Sequence, residues 1–176
     1  MAEPESTGRE SVSSGQIRLE RLYLKDASFE SPSTPEVFGE EWKPEVQVDI
    51  NTRSNSQPDN RHEVLLTLTL RAKLAGGKTA FIVEIQQAGI FLVEGVEAEV
   101  RQRLLATTCP NTLFPYIREN VDSLIVKGGF PAMHLAPVNF DGLYTEALRQ
   151  QAEGQDKSEG LDKPEGLDKP EGEVSH

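Results

Sequence analysis

Residues Val64–Phe91, VLLTLTLRAKLAGGKTAFIVEIQQAGIF, carry the pattern that sets the fold. The even positions Val64, Leu66, Leu68, Leu70, Ala72 and Leu74 are apolar, whereas the odd set Leu65, Thr67, Thr69, Arg71 and Lys73 is mostly polar. Successive side chains of a strand point to opposite faces, so this alternation predicts a strand with one buried face. Ala75-Gly76-Gly77-Lys78 is a hairpin turn signal, because glycine adopts backbone angles that other residues avoid. The chain then returns as a strand from Thr79 to Phe91, which separates Phe81, Val83, Ile85 and Gln87 from Ala80, Ile82, Glu84 and Gln86.

Toward the N-terminus, Ile17, Leu19, Arg21 and Tyr23 alternate with Arg18, Glu20, Leu22 and Leu24, a strand with both faces partly apolar. KDASFESPSTPEVF (25–38) reads as a long irregular connection holding Phe29 and Phe38, with Trp42 and Pro44 beyond it. Asp26 and Glu30 fall in that loop. Val46, Val48 and Ile50 alternate with Gln47, Asp49 and Asn51 as a half-buried strand, and 51–60 is a polar turn. The sum is an antiparallel sheet of about four strands.

Toward the C-terminus the period changes. Glu97–Ala106 is a short helix in which Glu97/Arg101 and Glu99/Arg103 are spaced to pair. In CPNTLFPYIRENVDSLIVKGGFPAMHLAPVNF (109–140), Phe114, Ile117, Val121 and Leu124 recur at helical spacing. Asn111 or Thr112 caps this helix, Pro115 belongs in its first turn, and Gly128-Gly129 closes it. Phe130 to Pro137 reads as an extended crossing segment. A last helix starts from an Asn139 cap, with Phe140, Leu143, Tyr144, Ala147 and Leu148 along one stripe. The expected class is α+β, with helices covering one face of the sheet.

The chain of 176 residues fits one domain with tails. Its 29 acidic against 18 basic residues give a formal charge of −11, which argues against nucleic acid as a partner. A basic partner, or solubility alone, accounts for that balance. One cysteine fits a reducing compartment and excludes an internal disulfide framework. The polar N-terminus holds no apolar run long enough for a signal peptide or membrane span, so a cytoplasmic protein without membrane insertion is expected. Residues 1–15 are read as a disordered leader and 16–152 as the folded domain. Residues 153–176 are read as a disordered acidic tail, in which DKSEGL, DKPEGL and DKPEGE repeat one hexapeptide.

Catalytic signals are weak. No phosphate-binding loop is present, and His62, His134 and His176 are scattered with a single cysteine, so no metal or other cofactor is expected. Cys109 and His134 flank the main helix and form a conceivable nucleophile pair, although a small apolar filler and an edge residue explain them as well. No enzyme is expected. Surfaces are the stronger signal. Phe29, Phe38, Trp42, Phe81, Phe91, Phe114, Tyr116, Phe130 and Phe140 supply core, and as a set they suit an apolar groove for extended polypeptide. Ile82 and Glu84 share the second sheet face, with Asp26 and Glu30 in the preceding loop. That face is either solvated or a flat acidic contact for a basic partner.

YLKDASFESP (23–32), FIVEIQQAGIF (81–91), CPNTLFPYIRE (109–119) and GGFPAMHLAPVNFDGLY (128–144) resemble the SecB family of protein-export chaperones over roughly residues 16–150. The resemblance implies a four-stranded α+β subunit assembled as a homotetramer, a dimer of dimers. It implies an ATP-independent cytosolic holdase that keeps unfolded precursor proteins competent for translocation and delivers them to the SecA motor. Asp26, Glu30, Ile82 and Glu84 match the family's SecA contacts, and Val83, Ile85 and Gln87 match positions tied to tetramer integrity. Trp42, Phe81, Phe114 and Tyr116 resemble residues of the client groove. A SecB-like chaperone that guards an antitoxin or suppresses aggregation outside export is the alternative.

Overall fold

The structure, a computed structural model, describes residues 15–159. Residues 1–14 and 160–176, and with them most of the expected leader and tail, lie outside the described residues. Four strands, β1 (Gln16–Glu30), β2 (Glu45–Ser56), β3 (Arg61–Lys73) and β4 (Thr79–Glu94), form one antiparallel sheet in the order β1-β4-β3-β2. The alternation in β3 works as its sequence dictates: Val64, Leu66, Leu68, Leu70, Ala72 and Leu74 are buried, and Leu65, Thr67 and Thr69 are half-buried on the other face. Gly76 and Gly77 take φ of 78° and 80° in the turn to β4.

Two strands are longer than their sequences suggest. β2 runs to Ser56, opposite His62, which shortens the expected ten-residue turn to residues 57–60. β1 runs to Glu30 because two bulges carry it, each placing an extra residue (Glu20, then Lys25) against β4. A bulge shifts the two-residue period by one, so the alternation stops being legible. Arg21 and Tyr23 therefore oppose Ile90 and Ala88, on the face opposite Ile17 and Leu19, which oppose Val93 and Phe91. Asp26 and Glu30 lie in the strand and not in a loop.

Because β1 and β2 are the two edges, the connection 31–44 must cross the whole end of the sheet. It does so through a 3-10 turn, Glu36–Gly39, whose Val37 is buried. Phe38 and Trp42 are thereby carried to the same face as the helices, against Phe130.

That face is covered by α1 (Ala98–Ala106) and α2 (Thr108–Lys127), separated by Thr107 alone. α2 starts before the expected Asn111 or Thr112 cap: Pro110 is the first-turn proline, and Pro115 sits in the helix interior on its exposed side. Cys109, Leu113, Ile117, Val121 and Ile125 form a fully buried stripe at four-residue spacing, with Phe114 beside it and Leu124 only half-buried. Each such side chain contributes about 1.5–3 kcal/mol on burial. The helix ends in paired bonds: Gly129 N–H donates to the Val126 carbonyl at 3.0 Å and Phe130 N–H to the Ile125 carbonyl at 3.2 Å. Gly129, at φ 85°, supplies the left-handed residue such a cap needs. A Cβ on Gly89 would come within 3.0 Å of Leu113 and Leu19, so the missing side chain lets α2 approach the sheet. Among the described residues the expected Glu97/Arg101 and Glu99/Arg103 pairs are not found; Arg103 reaches Asp141 at 3.0 Å.

The described residues divide into two compact units, 15–141 and 142–159. α3 (Phe140–Glu159) continues past the boundary expected at residue 152. Arg149 pairs with Glu146 at 2.8 Å and Glu153 at 3.9 Å, supporting the helix, while Leu143 and Leu148 of the expected stripe are exposed.

Candidate partner-binding surfaces

Directly opposed residues of neighbouring strands share a face, so the register maps the sheet surface turned away from α2. Three adjacent rows read Glu30–Ile82–Arg71–Gln47, Ser28–Glu84–Thr69–Asp49 and Asp26–Gln86–Thr67–Asn51. Asp26, Glu30, Ile82 and Glu84 are thus side by side on β1 and β4. The only cation in these rows, Arg71, is turned to Asp49 at 3.3 Å. Among the described residues Asp26, Glu30 and Glu84 have no ion-pair partner, which leaves an acidic surface around one isoleucine.

The other half of the same face is more basic. Arg18, Arg21, Arg53 and Arg61 lie opposite Leu92, Ile90, Leu65 and Leu92 respectively. Here Glu63 accepts from Lys25 at 2.8 Å, from the Tyr23 hydroxyl and from Asn55 at 3.3 Å. Lys25 first, then Tyr23, hold its carboxyl down at about 2, while burial and then Glu63 push Tyr23 up to about 12. This polarised face escapes a reading of the sequence, because the bulges hide which residues of β1 belong to it.

Val83, Ile85 and Gln87 are on the opposite side of β4, buried within the subunit. Gln87 donates to the Tyr23 carbonyl and accepts from Asn120 of α2. These three positions face α2 and are buried in the chain itself.

The expected groove residues divide into two groups. Trp42 and Phe81 join Phe29, Phe38 and Phe130 in one cluster, with ring centroids 4.9 to 6.4 Å apart. Phe81 lies fully buried at its base. Phe114 instead packs edge-on to Phe140 at 6.0 Å beneath the Arg118 guanidinium, and Tyr116 is 46 % exposed on α2. Phe114 and Tyr116 sit in the first half of α2, whereas Phe130 follows its end. The position of Phe130 directly after the glycine cap is the sequence signal for the cluster.

A shallow groove of about 550 Å³ runs along the exposed side of α2, lined by Pro115, Arg118, Asp122 and Val126 among others. Arg118 Nε and Asp122 Oδ1 are buried without a hydrogen-bond partner. Cys109 is buried and its thiol is pushed up to about 12 by burial. His134 is exposed and faces Asp122 at 3.4 Å, so the conceivable nucleophile pair is not assembled. Among the described residues no three His, Cys, Asp or Glu side chains gather to hold a metal, and no helix is long and apolar enough to cross a membrane.

The chain is thus an α+β protein, a helix-covered antiparallel sheet with one polarised open face and an aromatic cluster at its end. The family described as preprotein translocase subunit SecB matches residues 10–151. The chain is 56 % identical over 136 residues to the protein-export protein SecB of Hahella chejuensis, covering 77 % of this chain and 85 % of that one. It is 49 % identical to that of Marinobacter nauticus over 85 % of this chain and 90 % of the relative. The Pseudomonas aeruginosa protein is 45 % identical over 88 % of this chain and 96 % of its own. Among solved structures, the SecB-like chaperone of Mycobacterium tuberculosis in complex with a HigA1 antitoxin peptide shares the fold, with a TM-score of 0.58 at 18 % identity, over 69 % of this chain and 90 % of that one. The chain belongs to the SecB family, a family of chaperones.

Proposed function

We propose that this chain is an ATP-independent holdase that binds unfolded precursor proteins in the cytoplasm, keeps them competent for translocation and delivers them to SecA. The relatives named protein-export protein support this reading. The structural observation that carries it is the gathering of Asp26 and Glu30 of β1 with Ile82 and Glu84 of β4 into one acidic surface. An acidic plate with a central apolar side chain suits the basic end of a protein partner.

Client binding falls to the aromatic cluster. One large apolar side chain buried there is worth roughly 1.5–3 kcal/mol, too little for useful affinity alone. Several such sites on one assembly gain by effective concentration, so the holdase works as a homotetramer, a dimer of dimers. Release comes from competition by the partner, and the chain has no enzymatic step.

A second reading, a chaperone that guards an antitoxin, is favoured only by the peptide complex of the Mycobacterium tuberculosis structure. Dilution of a chemically denatured precursor into buffer with the purified chain tests the primary reading. Light scattering is suppressed without nucleotide, and unaltered aggregation contradicts the proposal.

A further inference from the structure

Phe38 is the one exposed member of the aromatic cluster, at 53 %, although its neighbour Val37 is 2 % exposed. Its ring lies 5.2 Å from that of Phe130, tilted by 41°, and its edge would come within 3.3 Å of a Cβ on Gly129. It therefore lies over Phe130 and the helix-capping glycine. The backbone carrying it is tied down: Val37 N–H donates to the Ser33 carbonyl at 2.9 Å, and Glu40 pairs with Lys78. The ring itself is not. A Cβ on Gly39 would meet nothing within 4 Å, so open space lies beside the turn.

A phenyl ring half in water on an otherwise buried aromatic surface is a weakly held occupant of a site that accepts phenyl rings. We propose that Phe38 is an internal stand-in for a client side chain, displaced from Phe130 and Gly129 by a large apolar residue of an extended unfolded segment. The inference rests on the holdase reading and names what that site selects. An incoming side chain must outcompete a phenyl ring, so aromatic and large aliphatic residues gain entry and alanine does not. When the client leaves, Phe38 covers Phe130 again and keeps the empty chaperone from exposing it.

Trp42 is the sole tryptophan and sits 5.4 Å from Phe130, so its emission reports on the site. The full chain is titrated with a tryptophan-free extended peptide that alternates Phe with polar residues, and with the same peptide carrying Ala for Phe. Phe38→Ala binds the Phe peptide about threefold to tenfold tighter than the wild type and discriminates less against the Ala peptide. Phe38→Leu, which keeps a competitor, lies between. Unchanged or weakened binding by Phe38→Ala, with wild-type binding intact, overturns the stand-in and leaves the holdase reading standing. Failure of the wild type and both variants to bind the Phe peptide or a denatured precursor removes the holdase reading as well.

Discussion

Gln87 Nε2 donates a 2.8 Å hydrogen bond to the carbonyl of Tyr23, while its Oε1 accepts from Asn120 at 3.2 Å. One buried amide therefore joins β4, the bulged edge strand β1 and the covering helix α2. The flanking Val83 and Ile85 face the same way and are buried. If the proposed tetramer forms, substitutions at these positions are expected to act on it through this packing.

Gln87→Leu leaves the Tyr23 carbonyl and the Asn120 amide without this partner and is expected to cost about 1–3 kcal/mol. Ile85→Ala opens a cavity under α2 and is expected to cost about 2–5 kcal/mol. Urea melts and sedimentation show stability and subunit number falling together. Loss of assembly with unchanged subunit stability contradicts the indirect route.

The acidic rows make a separable prediction. Asp26→Ala together with Glu84→Lys abolishes capture by immobilised SecA, whereas suppression of precursor aggregation stays at the wild-type level. Undiminished capture removes these residues from the partner surface.

Two groups give stability an acid dependence of known sign. Burial, and then Arg101, lower the affinity of His62 for a proton, so the native state favours the neutral ring. Its contribution is complete above the ordinary histidine value near ~6.5 and is lost as pH falls through the lowered native value. Glu63 is held down to about 2, so its contribution is complete above the usual carboxylate range and is lost as pH falls toward about 2. Stability followed by urea against pH falls in two stages. His62→Asn flattens the upper stage and Glu63→Gln the lower, and a wild-type profile without slope in either window contradicts the assignment.

Cys109 is buried with its thiol pushed up to about 12, and only a thiolate reacts readily. Ellman's reagent is expected to modify it on the timescale of unfolding. Cys109→Ala costs about 1–2 kcal/mol by the lost packing of one sulfur and leaves holdase activity intact. Fast labelling of the native protein, or activity lost with the sulfur, contradicts a filler role.

The sheet was legible where its physics is local and uninterrupted. β3 and β4 alternate without bulges between Val64 and Ala72 and between Phe81 and Gln87, so the faces of Ile82, Glu84 and Val83 follow from the period alone. β1 was legible only to its first bulge. Beyond it Asp26 and Glu30 read as loop, although the pairing of Glu30 with Ile82 places them beside Glu84. The start of α2 was obscured by two prolines: Pro115 suggests a late beginning, yet Pro110 already occupies the first turn. Trp42 and Phe81 belong to one cluster, but Phe114 and Tyr116 do not, because aromatic composition carries no information about which end of a helix a ring will meet. Nothing in the sequence singles out Phe38, since its exposure and contacts are properties of the folded crossing segment.

On the proposed function, several subunits together bind unfolded chains passively and present the acidic sheet face to SecA. Native mass spectrometry of the purified chain, mixed with an unfolded precursor and then with SecA, tests it most directly. The expected species is a tetramer that retains the precursor without nucleotide and gains SecA in the same complex. A lone subunit that passes through the mixture bound to neither would contradict it.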